Sequence, residues 1–424
     1  MKVSFYTLGC KLNFAETSAI GRLFTDKGYT CVEFGEPADV VVINSCTVTA
    51  QADKKCRQAI HKAGRISPEA LIVVVGCFAD LKYGDANGIP GAGLVLGNKD
   101  KFAIVEAVQE TVFRKQSLCR PRQAAFDPAY SLFDRTRSFL KVQDGCDYHC
   151  SYCTIPKVRG HSRNPLISDI VSQANIIASQ GIREIVLTGV NVGDFGRSTG
   201  ESFYRLLCAL DSVEGLERIR TGSVEPNLLT DDIIRLIAQS AKLAPHFHLP
   251  LQSGCNRILA LMARRYRREL FAERVEMIRR HLPLAGIGAD VITGFPGETD
   301  EDFADSLSFI EHLPLSYLHV FTFSERPGTQ AALMSGKVPR RTAEERSKAL
   351  IALSLRKRHA FYHRHIGQTV SVLFEQKIKS GLMTGFTASY AKVEAPYDAS
   401  LTGCCTEWRL TGTGASGNLT GEKK

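Results

Sequence analysis

The sequence predicts an α/β protein in three consecutive parts: a small doubly wound parallel sheet, a central partial (β/α)6 barrel and a small C-terminal β barrel. Three observations carry that expectation. Over residues 1–113, short β-branched apolar runs alternate with helical stretches. The alternation resumes over residues 137–365, with glycines and polar residues gathered after the apolar runs. From residue 366 strand patterns take over, beginning with Thr369–Glu375.

In the first part, Val3–Leu8, Val40–Asn44 and Leu71–Val75 are apolar runs of the kind that form buried parallel strands. Phe14–Lys27, Asp53–Arg65 and Asp100–Phe113 read as the helices between and after them. This βαβ rhythm implies a doubly wound sheet. Cys10, Cys46 and Cys77 each follow the C-terminal end of one of the three strands. In an open α/β sheet those ends line the ligand crevice, so three residues distant in sequence converge. Packing accounts for a lone small cysteine. It accounts less well for three at equivalent positions, beside Gly9, Ser45 and Gly76. Cys31 and Cys56 lack that placement and read as structural. Three thiolates with no histidine nearby suit an iron–sulfur cluster with one iron free of protein ligands. Zinc with a distant fourth ligand is the competing reading.

Residues 114–136 are polar, are interrupted by Pro121 and Pro128, and read as a linker. Ser138–Gln143 then reads as a strand that runs into Cys146, Cys150 and Cys153, spaced Cys-x3-Cys-x2-Cys. Three thiolates on one tight loop hold three corners of a cubane and leave the fourth iron open. A structural zinc site would show a second Cys-x2-Cys or a histidine pair, and none follows. Further strands are expected at Glu184–Thr188, Arg218–Gly222, His246–Leu249, Gly288–Ile292 and Leu318–Phe323, with helices such as Ile167–Gln180 and Leu229–Ala241 between them. Gly189, Asn191, Ser223 and Glu225 fall just after such strands, on the face where barrel active sites lie. Turn geometry explains Pro226 and Pro296. The run Gly294–Glu298 lacks the Gly-Lys-Ser/Thr ending of a nucleotide-binding loop.

Composition bounds the alternatives. The chain has 424 residues, 44% hydrophobic and 23% charged, which excludes wholesale disorder. Its net charge of +9 fits a polyanionic partner. Thirteen cysteines, an odd count, argue against a disulfide scaffold. No apolar run approaches the roughly 20 residues of a spanning helix. Thr7-Leu8-Gly9-Cys10 has too little chain before it for a lipoprotein signal. The expected setting is cytoplasmic, with no membrane partner and a monomeric state.

Cys146-x3-Cys150-x-Tyr152-Cys153 after a first strand resembles the signature of the radical S-adenosylmethionine (SAM) superfamily. Further strings narrow the resemblance: Thr7-Leu8-Gly9-Cys10-Lys11-Leu12-Asn13, Asn44-Ser45-Cys46-Thr47-Val48-Thr49, Gly76-Cys77, Ile155-Pro156-Lys157-Val158-Arg159-Gly160, Leu187-Thr188-Gly189-Val190-Asn191 and Pro250-Leu251-Gln252-Ser253-Gly254. Together they resemble the methylthiotransferases. That resemblance implies an auxiliary 4Fe–4S cluster on Cys10, Cys46 and Cys77, a radical-SAM 4Fe–4S cluster on Cys146, Cys150 and Cys153, and a TRAM-like RNA-binding domain over residues 366–424. It implies that Tyr152 reaches the adenine of SAM through its backbone, with Gly189, Asn191, Ser223 and Glu225 as further SAM contacts. The implied chemistry is reductive cleavage of SAM to a 5′-deoxyadenosyl radical, then methylthio transfer to C2 of an adenine. A flavodoxin or ferredoxin is the implied electron donor.

Three branches are open: isopentenyladenosine in tRNA, N6-threonylcarbamoyladenosine in tRNA, and an aspartate of a ribosomal protein. Gly9-Cys10-Lys11-Leu12-Asn13 is most similar to the threonylcarbamoyladenosine branch, which acts beside the anticodon of tRNA at position 37. Asp80 stands where the family favours glutamine, and Ser389 where it favours asparagine. A rival outside catalysis is an RNA-binding iron–sulfur sensor. Of two basic stretches, Arg257–Arg280 and Arg340–Arg364, the first places Arg264, Arg265, Arg267 and Arg268 near the barrel mouth, where phosphate contact is expected. The Gly/Ser-rich end, Ala415–Lys424, reads as a disordered tail.

Overall fold

The computed structural model describes residues 1–82, 88–114, 126–132 and 136–424. The first part is a five-stranded parallel sheet of β1 (Lys2–Thr7), β2 (Thr30–Val32), β3 (Val40–Ser45), β4 (Leu71–Gly76) and β5 (Leu94–Leu96), in the order β2-β1-β3-β4-β5. Helices α1 (Lys11–Asp26), α2 (Ala50–Ile66), α3 (Cys77–Lys82) and α4 (Ile104–Arg114) accompany it. Alternate strand residues bury in opposite directions. Val40, Val42, Val73 and Val75 pack with Ile20, Phe24, Val105 and Val108, whereas Val41, Ile43, Ile72 and Val74 pack with Ala59, Ile60 and Ala63. With both faces covered, Val40–Ile43 and Leu71–Val75 are apolar at every position, which is why they read as continuous runs. The short strands β2 and β5 had no such run to announce them.

The second part is a half-open crown of six strands. β6 (Ser138–Lys141), β7 (Glu184–Thr188) and β8 (Arg218–Arg220) form one parallel sheet, and β9 (His246–Gln252), β10 (Gly286–Thr293) and β11 (Tyr317–Thr322) another. Single parallel bridges, Ile219 to Leu243 and Ser223 to His248, join the two. Its helices are α5 (Ile155–Arg159), α6 (Ile167–Ser179), α7 (Phe203–Asp211), α8 (Asp231–Gln239), α9 (Asn256–Leu261), α10 (Arg268–His281), α11 (Asp300–His312), α12 (Gln330–Leu333) and α13 (Arg340–His363). Ala15 and Ala19 of α1 pack on Phe139 and Val186, so the first part closes the β6 side of the crown.

Much of the segment expected as a linker, residues 115–125 and 133–135, lies outside the described residues. Ala129 and Ser131 are not free linker: Lys141 N donates to Ala129 O (2.9 Å) and Ser131 N to Phe139 O (3.1 Å).

The third part is a closed barrel of β12 (Thr369–Lys379), β13 (Leu382–Thr387), β14 (Lys392–Pro396), β15 (Cys405–Thr413) and β16 (Leu419–Lys423), in the order β12-β13-β14-β16-β15. The expected disordered tail is corrected here: β16 closes the barrel. Leu419 is fully buried and pairs with Val393, and the small residues before it form the turn from β15, with Gly414 N donating to Asn418 O (2.8 Å). One buried apolar residue outweighs a flexible composition.

Buried arginines dock this barrel on the crown. Glu184 accepts hydrogen bonds from Arg218 and Arg220, both at 3.0 Å. Arg218 also donates to Phe386 O (3.1 Å) and Ser371 O (3.2 Å), and Arg220 to Ala388 O (2.8 Å) and Thr387 O (3.2 Å). Burial alone would raise the Glu184 carboxyl, but Arg220, Arg218 and Arg137 outweigh it and hold it at about 2.

Candidate functional site

Cys10 and Cys46 follow β1 and β3, the neighbouring strands at which the sheet order reverses, and Cys77 follows β4. A crevice opens at such a switch point. Two glycines make the approach possible. Gly9 has φ +100°, and a Cβ there would fall 2.8 Å from Cys46 Cβ. Gly76 has φ +93°, and a Cβ would fall 2.6 Å from Asn44 Oδ1. Only glycine meets both demands. Asn13 ties the loops together, donating to Leu8 O (2.7 Å) and Ser45 O (3.1 Å). Asn98 Nδ2 points at Cys77 Sγ (3.7 Å) and also donates to Val158 O (2.9 Å). Asp80, the unexpected residue, accepts from Asn98 N at 2.6 Å, so it has a local partner that reaches the Cys77 thiol. Burial pushes Cys46 up to about 11, and the nearby Cys10 and Cys77 add to that rise.

The second triad is local. Cys153 N donates to Cys150 O (3.0 Å), Tyr148 N to Cys146 Sγ (3.4 Å) and Ile155 N to Cys153 Sγ (3.4 Å). All three thiols line a cavity of about 400 Å3 with Lys157, Gly328 and Thr329. Burial raises Cys146 to about 11 and Cys153 to about 12, so a bound cation is what would hold them as thiolates.

A buried charge cluster lies between the triads. Glu16 receives Lys101 (2.6 Å), Arg159 (3.1 Å) and Lys141 (3.3 Å), and Asp144 receives Arg159 (2.9 Å), Arg163 (2.9 Å) and Lys141 (3.0 Å). Burial would raise the Glu16 carboxyl, but Arg159, Lys101 and Lys141 hold it at about 2. Arg159 faces both sites. It donates to Asn13 Oδ1 (2.8 Å), next to Cys10, while Asp144 Oδ1 accepts from Gly145 N (2.8 Å), next to Cys146.

The expected SAM contacts are distributed as follows. Gly189 follows β7, and Gln143 Oε1 accepts from Val190 N and Asn191 N, both at 2.9 Å. Asn191 is 4% exposed, and neither of its amide atoms has a partner among the described residues. A buried amide without partners is costly, so a polar ligand that satisfies it fits here. Ser223 forms the bridge to His248. Glu225 is paired with Arg264. The Tyr152 ring lies edge-on to Phe295 (6.3 Å), which anchors its backbone beside the cysteines.

Arg264 requires a correction. Its side chain is 3% exposed and donates to Cys150 Sγ (3.0 Å) as well as to Glu225, so it is turned inward and has no surface for phosphate. Arg265 donates to Asp147 O (2.8 Å) and lies over the Tyr148 ring (4.1 Å). Arg268 is tied to Asp305 at 2.7 Å, and Arg267 is 79% exposed.

Sequence reasoning passed over the crown's interior. Residues at period two, His246 and His248 on β9, Asp290 on β10, and Tyr317, His319 and Phe321 on β11, line a cavity of about 480 Å3. Gly9–Leu12, Tyr390 of the third part, Thr188, Gly189 and Ser223 complete its wall. A polar residue in the middle of an otherwise apolar strand, such as His248 or Asp290, was the readable signal.

Residues 2–97 match the profile of an uncharacterized protein family, UPF0004, and residues 140–310 that of the radical SAM superfamily. A solved radical SAM methyltransferase, TsrM from Kitasatospora setae with cobalamin and a [4Fe-4S] cluster bound, shares the fold, with a TM-score of 0.55 at 14% identity over 90% of this chain and 80% of that one. The class is therefore that of a radical SAM enzyme, and the orphaned Asn191 amide and the two thiol triads fit the SAM and the 4Fe–4S clusters that such enzymes use. The threonylcarbamoyladenosine tRNA methylthiotransferase MtaB of Aquifex aeolicus is 39% identical over 88% of this chain and 92% of its own length. That of Bacillus subtilis is 38% identical over 92% and 89%. The tRNA-2-methylthio-N(6)-dimethylallyladenosine synthase of Moorella thermoacetica is 34% identical over 96% and 94%. The chain belongs to the radical SAM tRNA methylthiotransferase family. Among the described residues, no helix is long and apolar enough to cross a membrane.

Proposed function

We propose that this enzyme methylthiolates C2 of N6-threonylcarbamoyladenosine at position 37 of tRNA, giving the 2-methylthio derivative. The observation that carries the reading is its 34–39% identity to relatives named for that substrate, over most of both chains. The Lys11 side of the crown cavity favours it over the isopentenyl substrate, for reasons developed below.

Residues 1–113 are assigned as the auxiliary-cluster domain, 137–365 as the radical-SAM domain and 366–424 as an RNA-binding domain. Cys10, Cys46 and Cys77 would hold the auxiliary cluster, and Cys146, Cys150 and Cys153 the radical-SAM cluster. When bound, the second cluster supplies the electron that splits SAM and so yields the radical able to break an aromatic C–H bond. The chain's own work is positioning. Asn191, Ser223 and Gly189 lie where SAM is expected, with Tyr152 offering its backbone. Arg264 holds Glu225 against the Cys150 side of the site. The crown cavity, with Cys10 in its wall, shields the target base from water. A small acidic redox protein, flavodoxin or ferredoxin in type, is the proposed electron source, and the enzyme is proposed to act as a monomer.

The test is mass spectrometry of tRNA nucleosides from a strain lacking the gene and from the same strain complemented. Loss and recovery of 2-methylthio-N6-threonylcarbamoyladenosine is expected. Loss of the 2-methylthio isopentenyl nucleoside instead would overturn the substrate.

A further inference from the structure

The charges along the crown cavity are unbalanced. Asp290 is matched, since its Oδ2 lies 2.9 Å from His248 Nε2. Glu184, behind the cavity wall, is matched by Arg218 and Arg220. Lys11 is the remaining cation on the wall, and among the described residues its ammonium has no hydrogen-bond or ion-pair partner. The charges that act on it besides Tyr390 and Glu184 are two more cations, Arg220 and Arg137. The ammonium is accessible from the cavity, so it and the two guanidiniums near it would attract a ligand that brings a negative group. Aromatic rings of Tyr317, Phe321 and Tyr390 give the same cavity the faces on which a splayed base stacks.

We propose that Lys11 is the specificity residue, pairing with a carboxylate carried by the N6 substituent of the target adenine. This rests on the substrate reading above and adds how the substrate is told apart. A threonylcarbamoyl group ends in a carboxylate, which completes the charge set at Lys11. An isopentenyl group brings no charge and forgoes that ion pair, so it binds less well than the acid. Its place one residue after Cys10 puts the pairing within reach of the sulfur-carrying site. A backbone phosphate is the other anion with the same chemistry, and the experiment separates the two.

The experiment uses reconstituted holoenzyme and anticodon stem-loops bearing N6-threonylcarbamoyladenosine, its methyl ester, or N6-isopentenyladenosine. Affinity and kcat/KM are both measured. For the unaltered enzyme, the ester is expected to bind and react at least about tenfold more weakly than the acid. Lys11→Met should lose at least about tenfold on the acid and little on the ester, and Lys11→Arg should keep most of the preference. Equal handling of acid and ester by the unaltered enzyme overturns the proposal without any variant, which covers a Lys11→Met protein that fails to hold iron. An equal loss of affinity by Lys11→Met for all three stem-loops would place Lys11 on a phosphate and also overturn it. Failure of the substrate reading looks different: the acid would not react with either protein, whereas the isopentenyl stem-loop would.

Discussion

The two cysteine triads are built in opposite ways. Cys146, Cys150 and Cys153 lie within one short loop, whose own N–H groups point at two of the sulfurs. Cys10, Cys46 and Cys77 come from the ends of three strands and share one edge of the sheet only because the sheet is wound as it is. The local triad needs a loop; the distant triad needs the whole first domain. A lesion far from the auxiliary site should therefore damage it more than an equally distant lesion damages the radical-SAM loop.

The largest effect expected is on iron. Two triads support about eight irons, one cubane each. Replacing Cys146, Cys150 and Cys153 together by alanine should leave about four and abolish reductive cleavage of SAM. Cys46→Ala should keep that cleavage and make no methylthio product. Iron analysis and 5′-deoxyadenosine release check both, and full product from Cys46→Ala would erase the distinction between the triads.

Next comes the link between them. Arg159→Met removes a guanidinium from contact with Glu16, Asp144 and Asn13. Breaking a buried charge cluster by removing one partner costs about 3–5 kcal/mol. Anaerobic urea denaturation should show that loss, and iron should leave the auxiliary site first because Asn13 Oδ1, beside Cys10, loses its guanidinium donor. Uniform iron loss from both sites would contradict the contrast drawn above.

Acid should act at both interfaces of the crown. Glu16 and Glu184 are each held at about 2, against roughly 4.3 in an unfolded chain. A carboxylate depressed in this way stabilises the fold above its unfolded value, and the contribution drains away as pH falls towards 2. Stability measured from pH 6 down to pH 2.5 should fall, and Glu16→Gln or Glu184→Gln should flatten that fall. An unchanged slope in both variants would show that other groups carry the acid limb.

The smallest effect concerns RNA. Arg265→Glu with Arg267→Glu should lower tRNA affinity and reduce the log–log salt slope by about one unit per lost phosphate contact. Arg264 belongs to the interior and is no part of that test. Identical salt curves would mean these arginines are solvated surface.

Most of the frame was legible because buried parallel strands have continuous apolar centres. Val40–Ser45 and Glu184–Thr188 came out within a residue of expectation. Cysteines at strand ends were legible for the same reason. Arg264 was misjudged because a basic run says nothing about which member turns inward; only Glu225 and Cys150, distant in sequence, decide it. Leu419 was missed because a single apolar residue in a Gly/Ser-rich stretch carries no period. Lys11 was read only as part of a motif, since its neighbours Arg137, Arg220 and Tyr390 come from two other domains.

Arg218 and Arg220 grip the third domain through main-chain carbonyls of Ser371, Phe386, Thr387 and Ala388. A carbonyl is present whatever the side chain, so these bonds are indifferent to most substitutions at Phe386, Thr387 and Ala388; Ser371 alone of the four also accepts through its hydroxyl (3.3 Å). The domain's outer surface is thereby free to vary while its seating stays fixed. The reverse does not hold. Cutting the domain away would strand two guanidiniums at an open barrel end without those four acceptors.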